Sequence, residues 1–193
     1  MRDETEQRIL DATMTCLARF GVAKTTLDDI AREAGCARAT VYRSFSGRAA
    51  VVAAAVDDEL EQLVAAVEAV GMAADSLEDA ITDMFTTAAR ILTSHEVLQR
   101  ALEFEPEVIL PSLSFEGGDR LFAEATQRFA PVFARFLPQD RAPRAAEWCT
   151  RVLLAYLHPD RAPLTMTDPT EARSLIRRHV MPAFGLVPSN SVR

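Results

Sequence analysis

Apolar positions recur at helical spacing along almost the whole chain. Ile9, Ala12, Cys16, Leu17 and Phe20 share one face of a first helix over 5–20, and Gly21 follows as a C-terminal stop. Thr26 with Asp29 forms a capping box, and Asp28 and Asp29 lie in a first turn where the helix dipole favours negative charge. That second, short helix turns Leu27, Ile30, Ala31 and Ala34 inward and ends at Gly35. A third, over 37–44, buries Val41 and leads into Phe45. From Arg48 a longer stripe of Val52, Val56, Leu60, Leu63, Val67 and Val70 runs to Gly71.

Ser76 with Asp79 is a second capping box, opening a helix with Leu77, Ile81, Met84, Phe85, Ala88 and Leu92 inward. Residues 95–104 form a short helix, and 105–118 are broken by Pro106, Pro111 and Gly117-Gly118. Phe122, Ala125, Phe129, Val132, Phe133 and Phe136 make an aromatic face that Pro138 stops. Ala145, Trp148, Cys149, Val152, Leu153 and Tyr156 mark another helix, which ends at His158-Pro159. Asp168-Pro169-Thr170-Glu171 joins an N-cap, a first-turn proline and a capping acid. Ala172, Leu175, Ile176, Val180 and Ala183 line the last helix. No alternating strand pattern survives and no internal repeat is visible. The expected fold is all-α with about nine helices: a three-helix helix-turn-helix domain over 1–48 and a helical domain over 49–193.

Charge sharpens that division. The 193 residues carry 21 basic and 28 acidic side chains, a net charge of −7 that argues against a polybasic nucleic-acid binder. Yet residues 1–48 hold 8 basic and 7 acidic groups, and the acid excess lies in 49–193. The window 34–56 contains no acid but holds Arg38, Arg43 and Arg48. The longest apolar run, 49–56, is far short of the roughly 20 residues of a membrane-spanning helix. The N-terminus MRDETEQR is unlike a signal peptide. Cys16, Cys36 and Cys149 are few and scattered, as in a reducing cytoplasm.

Two short helices joined at Gly35-Cys36 follow the helix-turn-helix plan, whose second helix enters the DNA major groove. By itself the pattern is common to many helical hairpins. The second helix, however, has Val41 and Phe45 as its main buried anchors. Its other positions, Arg38, Ala39, Thr40, Tyr42 and Arg43, are small, hydroxylated or cationic groups suited to bases and phosphates.

The stretch 25–35, TTLDDIAREAG, followed by Ala39-Thr40-Val41-Tyr42-Arg43-Ser44-Phe45, resembles the DNA-binding domain of TetR-family transcriptional regulators. The likeness extends from Gln7 to Val56; beyond it only helical layout and length agree. It implies a homodimer paired through the last two helices, a palindromic or near-palindromic double-stranded operator and a small-molecule effector bound in the C-terminal domain. It also implies roles: Thr26 on a phosphate, Arg38, Ala39 and Thr40 at base edges or adjacent backbone, Tyr42 on a phosphate, Arg43 on backbone or base, and Arg48 gripping phosphate. Two departures stand out. Ala37 replaces the usual serine cap, and Gly47 replaces a capping serine or asparagine.

Candidates for lining an effector cavity are Met84, Phe85, Phe104, Phe122, Phe129, Phe133, Trp148 and Tyr156, with plain core the alternative for each. Such a lining suits an apolar ligand: an acyl chain, a steroid or a hydrophobic drug. Glu103, Glu105 and Glu107 read as a cation site or, more simply, as a solvated or capping acid cluster. Cys36 reads as a small apolar turn residue, and His179 as an interface histidine. Enzyme readings lack their motifs, since there is no Gly-rich phosphate loop after a strand, no Gly-x-Ser-x-Gly elbow and no zinc spacing. No cofactor, metal or catalytic residue is expected. The expected function is a cytoplasmic, DNA-binding repressor released by ligand. An activator, an effector-independent regulator and a helical interaction protein without DNA binding remain as alternatives.

Overall fold

The structure is a computed structural model and describes residues 3–107, 119–156 and 166–185. Its described residues form helices and turns, with no strand among them. The helices are α1 (Glu4–Phe20), α2 (Leu27–Glu33), α3 (Arg38–Ser44), α4 (Arg48–Ala73), α5 (Leu77–Ser94), α6 (Glu96–Phe104), α7 (Asp119–Ala134), α8 (Ala142–Tyr156) and α9 (Pro169–Leu175). The breaks expected at Pro111, Gly117-Gly118 and His158-Pro159 lie outside the described residues. No helix among the described residues is long and apolar enough to cross a membrane.

Two compact units emerge. One comprises Met1–Gln62 with His95–Leu110, the other Leu63–Ser94 with Pro111–Arg193. In the first, Ile9, Leu10 and Cys16 of α1, Leu27, Ile30 and Ala31 of α2, Val41 of α3 and Val51 and Ala55 of α4 form one core. Cys36 and Phe45 pack against it. Local rules set the helix ends. Asp3 caps α1 through the Thr5 N–H, and Gly21, at φ 84°, turns the chain out of it in a conformation few other residues adopt. Both halves of the Thr26–Asp29 capping box are formed. At α6, His95 Nδ1 accepts the Leu98 N–H while Nε2 lies 3.3 Å from Glu59.

In the second unit α7 packs along α8, and α9 packs on α5. Arg173 Nη1 donates to Asp79 at 2.6 Å, and Arg177 grips Glu78 at 2.7 and 3.1 Å. These bonds tie the chain around α9 to the start of α5, where Ser76 caps Asp79.

Three stretches differ from the sequence expectation. In α4 the buried positions are Val51, Ala55, Val64 and Val67, whereas Val56 is exposed. The alternation of alanine and valine there makes several faces equally apolar, so composition cannot choose among them. Nor does Gly71 end the helix, which continues to Ala73. Gly71 is instead a close-packing site: a Cβ there would meet Met84 Sδ at 2.7 Å and Val132 Cγ1 at 2.9 Å. Finally, α9 gives way to a π-turn over Ile176–Val180 and a 3-10 turn over Met181–Phe184. The wider turn shifts the phase, so Met181 and Phe184 are buried while Ala183 and His179 face outward.

Two stability predictions follow from these contacts. Gly71→Val overfills a packed site and should lower unfolding free energy by about 1–3 kcal/mol in chemical denaturation. The Arg177 hydrogen bond holds the Glu78 carboxyl below the usual carboxylate range, and the Ser76 hydroxyl does the same for Asp79. A depressed folded-state pKa stabilises fully above the ordinary glutamate value of about 4.3 and is lost as pH falls through the depressed values. Melting temperature should therefore fall on acidification below that value, and Glu78→Gln should shrink the fall.

Candidate nucleic-acid interface

The helix-turn-helix is built from α2 and α3, with Gly35 at φ 63° in the turn between them. On α3 the single buried residue is Val41, completely enclosed. Its start has no side-chain cap, in keeping with Ala37 at that position. Arg38, Ala39, Tyr42 and Arg43 on the same helix are exposed, and they line one shallow, open groove. Tyr42 is 59% exposed, and Thr40 is half-buried beside them.

The other DNA candidates are placed differently. The Thr26 hydroxyl donates to Asp29 Oδ2 at 2.6 Å, a bond that holds the Asp29 carboxyl below its usual range. Arg48 is half-buried, and its guanidinium donates to the Thr25 and Val22 carbonyls. In this conformation it fastens the α1–α2 loop rather than standing open toward a phosphate.

That same loop is held from its amide side. Glu105, just beyond α6, accepts the Val22 N–H at 2.7 Å and the Ala23 N–H at 2.9 Å. The Ala23 amide above all keeps its carboxyl below the usual range. Glu105 thus has the capping role weighed for the acid cluster, but on a loop 83 residues away in sequence. Nothing local to residues 103–107 marks it. Asp28 is likewise invisible as a site residue in sequence, where it is only a first-turn acid. In the structure its Oδ2 lies 2.9 Å from Arg38 Nη1.

In the second unit, Met84, Phe85, Phe129 and Phe133 converge with Cys149 and Thr150 on a cavity of about 20 Å3. Burial pushes the Cys149 thiol pKa up. Phe122 is buried elsewhere, beneath the Arg151 guanidinium at 3.9 Å from its ring centroid. Phe104 is 62% exposed and stacks with Arg100, and Trp148 is 37% exposed with its edge on Phe184. None of these three lines the cavity, and the side chain of Tyr156 lies outside the described residues. Among the described residues no group of His, Cys, Asp and Glu could hold a metal.

A short exposed helix, reached by a tight turn and set on a core shared by α1, α2, α3 and the start of α4, has the helix-turn-helix plan. Comparison with known proteins gives the family. Residues 9–55 match the family described as bacterial regulatory proteins, tetR family. An uncharacterized HTH-type transcriptional regulator of Mycobacterium tuberculosis is 32% identical over 187 residues, covering 81% of this chain and 96% of the relative. The HTH-type transcriptional regulator SrpR of Pseudomonas putida is 46% identical over 52 residues, covering 27% of this chain and 24% of SrpR. The crystal structure of the TetR family repressor AlkX of Dietzia sp., implicated in biodegradation of n-alkanes, superposes with a TM-score of 0.68 at 18% identity. That alignment covers 93% of this chain and 95% of AlkX. The chain belongs to the TetR family of transcriptional regulators. It is a DNA-binding regulator and not an enzyme.

Loss of the Glu105 clamp is measurable. Glu105→Ala leaves two loop amides without their charged acceptor and should destabilise the first unit by about 1–3 kcal/mol in denaturant titration.

Proposed function

We propose that the chain is a one-component repressor: a homodimer on a palindromic or near-palindromic operator, released by an apolar small molecule. The observation that carries the reading is the open groove of Arg38, Ala39, Tyr42 and Arg43 on a helix held by one buried side chain. A helix so exposed gains little from its own core and fits a partner surface with hydrogen-bond acceptors and phosphates. Two copies would set α3 in successive major grooves, with Arg38, Ala39 and Thr40 toward base edges. Tyr42 and Arg43 would then meet backbone, and the Thr26 hydroxyl would do so only by releasing Asp29 Oδ2. Arg48 would reach a phosphate only by leaving the Val22 and Thr25 carbonyls, so its first role in this reading is to hold the loop.

We assign DNA binding to residues 1–48 and effector binding and dimerisation to 49–193. The boundary falls within the first compact unit because the start of α4 completes that unit's core. Dimerisation through the last two helices is supported by the exposed Trp148 on α8. An apolar effector is supported by the Met84, Phe85, Phe129 and Phe133 lining. The n-alkane connection of AlkX is in keeping with it. Because ligand pockets run to about 300–1,000 Å3, the effector would have to open this cavity and so favour one conformation over another.

Binding to genomic fragments by gel shift tests the reading. Tyr42→Phe and Arg43→Ala should each weaken operator binding while sedimentation still reports a dimer. Affinity should fall steeply with salt, and Arg43→Ala should flatten the log–log slope by about 0.9 if it neutralises one phosphate. Unchanged affinity in both variants would remove α3 as the recognition helix.

A further inference from the structure

The two arginines on the recognition groove are not equivalent. Arg43 has no ionic partner among the described residues, whereas Arg38 Nη1 is bonded to Asp28 Oδ2 at 2.9 Å. The pair spans the turn, from the first turn of α2 to the first residue of α3, and both side chains stay about 60% exposed. An ion pair this exposed contributes little to folding. It also places an acid on the face proposed to meet DNA phosphates, where it is repelled. Neither stability nor affinity accounts for it.

Orientation does. A guanidinium is a planar fork of five donors. Asp28 takes Nη1, and the Nε–Nη2 edge has no partner among the described residues. That edge matches the O6 and N7 acceptors that guanine presents in the major groove. The carboxylate fixes the plane of the fork before DNA arrives, which lowers the ordering cost of a bidentate contact. It also offsets the charge of Arg38, so non-specific attraction to phosphate weakens while the directional hydrogen bonds remain.

We infer that Asp28 is a specificity-determining positioning residue, which holds Arg38 to read one guanine in each operator half-site. The inference rests on the proposed role of α3 and adds a residue that role does not require. Selection of bound sequences from random DNA, followed by titration, tests it on wild type, Asp28→Ala, Arg38→Ala and the double variant. Melting curves serve as the folding control. Wild type should prefer guanine at one half-site position by roughly 5- to 150-fold. Asp28→Ala should erode the preference at the same position as Arg38→Ala, with affinity for unrelated DNA unchanged or raised. The double variant should lose no more discrimination there than Arg38→Ala alone. Base preference unchanged in Asp28→Ala, with affinity raised for every sequence, overturns the inference and leaves a plain surface ion pair. A shift at a different position from Arg38→Ala also overturns it, since Asp28 would then meet its own base. If Arg38→Ala changes no position while wild type still selects an operator, the inference fails and DNA binding stands. If wild type retains no sequence at low salt, DNA binding itself fails.

Discussion

A helix of seven residues has no stability of its own in water. The recognition helix α3 is that short, lacks a side-chain cap and buries one residue. Its position therefore depends on Val41, wholly enclosed among side chains of α1, α2 and α4. Ile9, Leu10, Ile30, Val51 and Ala55 do the work that α3 cannot do for itself. The arrangement leaves nearly the whole outer face of the helix uncommitted. Val41, with Cys36 and Phe45 packed on the same core at either end of the helix, sets where the groove points.

A second constraint acts on the loop that precedes α2. Glu105 accepts the Val22 and Ala23 amides, and Arg48 donates to the Val22 and Thr25 carbonyls. A charged group on each side makes the loop a rigid lead into the capping box at Thr26. The loop also connects elements that are distant in sequence, since Glu105 follows α6 and Arg48 opens α4. A displacement of either helix would reach the start of α2 through hydrogen bonds rather than through soft apolar contact.

The sequence made legible what is local. Helix limits at Gly21, Thr26, Gly35, Ser76 and Asp168 follow from caps, which need only neighbours within a turn. The exposed face of α3 followed from its polarity, and the family from the motif over 25–45. What escaped was non-local or degenerate. The Glu105 clamp joins residues 83 apart. The Asp28–Arg38 pair depends on how two helices cross. The buried face of α4 was misread because alanine and valine surround that helix, and the phase of the last helix because a π-turn adds a residue per turn without a sequence mark. The phosphate role of Arg48 came from the resemblance, and nothing in the sequence marks the two carbonyls that its guanidinium bonds.

The cavity in the second unit constrains any effector mechanism of the proposed kind. At about 20 Å3 it holds no more than a water-sized probe, and its walls are apolar. A closed state of this size does not admit an acyl chain or an aromatic drug. Affinity for the closed state is then excluded by volume, and the ligand acts on the opened state alone. Such a ligand gains the largest possible differential affinity, which is the only quantity that can shift the equilibrium. The same closure lowers apparent affinity by the fraction of molecules that are open. In the proposed mechanism a well-packed cavity would trade sensitivity for a low basal release. In that mechanism, substitutions that enlarge it, at Met84 or Phe129, would act on that fraction as well as on contacts with the ligand.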